Sequence, residues 1–126
     1  MNFHETLRRF LQEQEARGDG EPTSEEKALA EALVREKALG VISAISYLVQ
    51  LDATADREEA HSTVMGLLRD LHDPVPLGGL FAQRASMDII EHLIRRLAAE
   101  RGESEIETWQ REAVELTRRI SEGEQL

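Results

Sequence analysis

SEEKALAEALVREKALGVISAISYLVQL, residues Ser24 to Leu51, is the stretch on which the fold class turns. It contains no proline, and its charges stop at Lys37, so Ala38 to Leu51 carries none. A helix that is charged along its first half and uncharged along its second is expected to meet neighbours on most of the circumference of that second half. The pattern predicts a central, largely buried second helix, with Ile45 in the core beside Ile42, Leu48 and Val49. The uncharged half reaches only about 21 Å at about 1.5 Å per residue, short of a bilayer's hydrocarbon core, so no membrane contact is expected. Gly40 and Ala44 stand four apart with Ser43 beside them, a patch that another helix can approach closely.

Reading toward the N-terminus, Gly18 to Thr23 (GDGEPT) forms a flexible link, and Thr23 with Glu26 has the spacing of a capping box. Before it, Asn2 caps a first helix whose stripe is Phe3, Leu7, Phe10, Leu11 and Gln14, ending near Arg17. Reading toward the C-terminus, Asp52 to Ala55 is a turn, and Asp56 with Glu59 opens a third helix. Its face of Ala60, Val64, Leu67, Leu68 and Leu71 ends at Asp73-Pro74. Pro74 to Gly79 reads as a loop of two prolines and paired glycines. A fourth helix runs from about Leu80 to Arg101 with Ile89, Ile90, Leu93, Ile94 and Leu97 on one side. Gly102 stops it, and Ser104 with Glu107 caps a fifth helix striped by Ile106, Trp109, Ala113, Leu116 and Ile120, with residues 122–126 as a frayed tail. Five amphipathic helices without an alternating strand pattern predict an all-α, single-domain helical bundle over residues 1–126.

Composition narrows the function classes. With 40% apolar and 32% charged residues the 126-residue chain is expected to fold rather than stay disordered. The absence of cysteine excludes disulfides, thiolate metal sites and a cysteine nucleophile. His4, Glu5, Arg8 and Arg9 interrupt the first ten residues, which leaves no signal-peptide core there and predicts a cytoplasmic protein. A net charge of −10 repels phosphate backbones, so no nucleic acid is expected as partner. Arginine outnumbers lysine thirteen to two, a bias expected of a GC-rich bacterial coding sequence.

No constellation makes a convincing chemical site. Glu58-x-x-His61 has the spacing of a carboxylate-bridged metal pair, but such a site needs a second copy of the motif and two further glutamates. His61, Met65, Leu68 and His72 form a seam along the third helix, whose two histidines stand roughly 16 Å apart along the axis and cannot share one ion. Arg84, Asp88 and His92 follow one another at four-residue steps on the polar side of the fourth helix, as solvated ion pairs do. Ser43 and Ser46 lack a histidine to activate them and are expected to bond back to carbonyls one turn earlier. No catalytic residue, metal ligand or cofactor is therefore expected.

The leading expectation is a non-enzymatic interaction or regulatory module that self-associates as a homodimer, because five apolar stripes and an uncharged half-helix exceed what a small bundle needs to bury. The alternative is a small-molecule pocket between helices, and the same residues would serve either role: Tyr47, His61, Met65, His72, Met87 and Trp109. A third reading is an acidic inhibitor of a basic partner, against which stands the alternation of charge sign along most helices.

Overall fold

The computed structural model describes residues 2–51 and 56–124, so the expected turn at Asp52 to Ala55 lies outside the described residues. The fold is all-α. Five helices follow one another, α1 (Phe3–Arg17), α2 (Ser24–Val49), α3 (Arg57–His72), α4 (Leu77–Arg101) and α5 (Glu105–Ser121), with no strand among the described residues. The chain divides into two compact units, Met1–Ser86 and Met87–Leu126.

In the first unit α2 is the central element, packing against both α1 and α3. Local sequence starts α1, α2 and α3 where their capping residues stand. Asn2 Oδ1 accepts from the Glu5 N–H at 2.8 Å, Thr23 Oγ1 from the Glu26 N–H at 3.0 Å, and Asp56 Oδ1 from the Glu58 N–H at 3.0 Å. The Thr23 box is only half made. Instead of turning back to Thr23, the Glu26 carboxylate is buried at 3% exposure and accepts from Arg17 Nε at 2.7 Å, clasping the end of α1 to the start of α2. The Arg17 guanidinium also donates to the carbonyls of Gly18 and Gly20, which holds the link in place.

The core of this unit is Leu7 and Phe10 of α1 with Leu29 and Leu33 of α2, and Phe3, Ala30, Leu77 and Phe81 pack around it. Phe10 and Phe81 meet edge to face with centroids 5.7 Å apart, an arrangement favoured by the ring quadrupoles. Such packing brings the first turns of α4 onto the α1–α2 pair, and it corrects the expected start of α4. The helix begins at Leu77 rather than Leu80, because Pro76 stands just before it, where no N–H is needed, and the two glycines allow a close pass. A Cβ on Gly78 would collide with the Asp73 carbonyl, and one on Gly79 would come within 2.7 Å of the His72 ring. The anticipated close approach at Gly40 is also present, since a Cβ there would lie 2.7 Å from Leu71 Cδ2 of α3.

In the second unit α4 ends in a left-handed glycine, Gly102 at φ 66°, with the Glu103 N–H donating to the Ala98 carbonyl at 3.1 Å. Ser104 caps α5 as its spacing predicts, accepting from the Glu107 N–H at 3.1 Å while its hydroxyl donates to the Glu107 carboxylate. Behind that turn lies a polar knot. Thr108 is fully buried and donates to Glu103 Oε1 at 2.8 Å, Arg111 binds the other carboxylate oxygen, and Arg101 pairs with Glu112 at 3.0 Å. After Ser121 the Glu122 N–H still reaches the Arg118 carbonyl at 3.0 Å, and Arg118 and Arg119 pair with Glu122 and Glu124.

Candidate interaction surface

The surface of interest is built by α2 and begins with what that helix buries. Its inward seam is Glu26, Leu29, Leu33, Lys37, Val41 and Ala44, at steps of three and four. Lys37, 8% exposed, occupies an apolar seam position and joins three elements. Its Nζ donates to the Asp73 carbonyl at 2.7 Å and to the Asp70 carbonyl at 3.5 Å, at the C-terminal end of α3, where the helix dipole favours a cation. The same ammonium lies 4.3 Å from the centroid of the Phe3 ring. Burial lowers the Lys37 pKa from its ordinary value, and the nearby carboxylates of Asp73, Asp70 and Glu36 oppose that shift. His4 stands at the rim of this junction, its Nε2 4.0 Å from Asp73 Oδ2. A cleft of about 300 Å³ lined by Phe3, His4, Lys37, Leu67 and Asp70, among others, opens beside it. The sequence reading passed over Lys37, although its place four residues after Leu33 and four before Val41 marks it as the one cation on the inward seam.

The other side of the same half-helix is open. Leu39 is 62% exposed, Ile42 49%, Ile45 43% and Val49 75%, and Leu48 is exposed beside them. Ile45 is therefore not a core residue, contrary to the expectation. Among the described residues of the first unit, α1 and α3 cover one side of α2, and the Ile45 side chain, about 90° further round the helix, lies outside that cover. Ser43 and Ser46 follow the expectation, their hydroxyls donating to the carbonyls of Leu39 and Ile42 at 3.0 and 2.7 Å. With those hydroxyls satisfied internally, the outward face offers little but hydrocarbon.

Of the six residues singled out from sequence, four lie in the first unit. Tyr47 on α2 is half-buried, whereas His61, Met65 and His72 on α3 are exposed. His72 is fixed locally, its Nδ1 2.8 Å from the Leu68 carbonyl and its ring against Gly79. Met87 and Trp109 belong to the second unit and are exposed there. Glu58 and His61 are both exposed on α3, and among the described residues no three histidine or carboxylate side chains gather where one metal ion would bind. Among the same residues no helix is long and apolar enough to cross a membrane.

No known protein family matches the sequence, and no curated protein or solved structure matches it significantly. The chemistry of the exposed face is thus the basis for reading its function.

Proposed function

We propose that this protein is a non-enzymatic helical interaction module that self-associates as a homodimer. One observation carries the reading: the uncharged half of α2 keeps Leu39, Ile42, Ile45, Leu48 and Val49 exposed in a chain where almost a third of the residues are charged. Isolated exposed apolar side chains are ordinary, but a contiguous run bounded by polar residues marks a surface that another molecule covers. Its cost in water is removed on association by the same hydrophobic effect that forms a core. A net charge of −10 makes copies repel one another at long range, so association relies on apolar contact at short range. We propose with it a cytoplasmic location and a role that takes no cofactor and no nucleic acid.

Light scattering coupled to size exclusion tests the proposal directly. A mass near twice 14.2 kDa at micromolar concentration is the expected result. A mass of one chain across the accessible concentration range overturns it.

A further inference from the structure

We draw no further inference here: the strongest candidate, the cleft of about 500 Å³ between α1 and α2 lined by Phe3, Leu33, Leu39, Arg9, Arg35 and Glu36 among others, carries nothing, because Arg9 already pairs with Glu25, Arg35 and Glu36 are of opposite sign, and nothing in the structure shows what would occupy it.

Discussion

Ile45 and Lys37 sit eight residues apart on one helix and reverse the environments that their chemical types suggest. Ile45 is exposed in the single chain, so Ile45→Asp introduces a solvated carboxylate rather than a buried one. Folding stability is expected to change by less than about 1 kcal/mol, as for ordinary surface substitutions, while the dimer is lost. Chemical denaturation and light scattering on the same sample check both halves, and a variant that unfolds would return Ile45 to the core. Lys37 is the opposite case, a cation enclosed by Phe3 and the last carbonyls of α3. Because burial lowers its folded pKa below the ordinary 10.5, the folded chain holds fewer protons on this amine than the unfolded chain within that window. Its contribution to stability is therefore least favourable while both states are protonated, and it improves as pH rises from the lowered value toward 10.5. Measured against Lys37→Met, which keeps the packed stem and removes the charge, the wild type should gain relative stability as pH rises through that alkaline window. A pH-independent difference would show that the ammonium is not held as the geometry indicates.

At the scale of elements, the turns decide more than the helices they join. Gly78 lies against backbone atoms of Asp73, which cannot rotate away, whereas Gly40 faces only the tip of Leu71. Gly78→Ala is thus expected to destabilise the fold by about 2 kcal/mol or more through backbone displacement. Gly40→Ala should be near neutral, since a shift of Leu71 is set against a helix-propensity gain of up to about 1 kcal/mol. Thermal denaturation of the pair checks the contrast, and equal effects would contradict the packing at Gly78. In the second unit, the α4–α5 turn depends on Glu103. Hydrogen bonds from Arg111 and Thr108 hold the Glu103 carboxyl below its ordinary value of 4.5. A depressed folded pKa gives stability that is present above 4.5 and is lost as pH falls through the lowered value. Glu103→Gln should therefore destabilise the protein at neutral pH and match the wild type in strong acid, as followed by pH-dependent denaturation. A constant difference across that range would mean that the carboxylate charge does not hold the turn.

For the whole molecule, the balance lies between an apolar contact and a net charge of −10 on each copy. Raising ionic strength from about 0.05 M to about 0.5 M shortens the screening length from roughly 14 Å to roughly 4 Å and weakens repulsion between copies. Dimer affinity is expected to rise several-fold over that range in sedimentation experiments, and a fall would mean that ion pairs, not the exposed face of α2, join the copies. The sequence by itself determined the all-α class, the five helices and most of their ends, because helical periodicity and the caps at Asn2, Thr23, Asp56 and Ser104 act within a few residues of one another. It also disclosed the uncharged half of α2, but not which part of its circumference is covered. Only the tertiary structure decided that Leu33, Lys37 and Val41 face inward while Ile42 and Ile45 face out, and that Lys37 closes the end of α3. The physical reason is that helix formation depends on near neighbours in the chain, whereas burial depends on which distant segment occupies each side. In α2 the outward side is as apolar as the inward one, so hydrophobic pattern alone has no means of telling a face that seals the core from one left open.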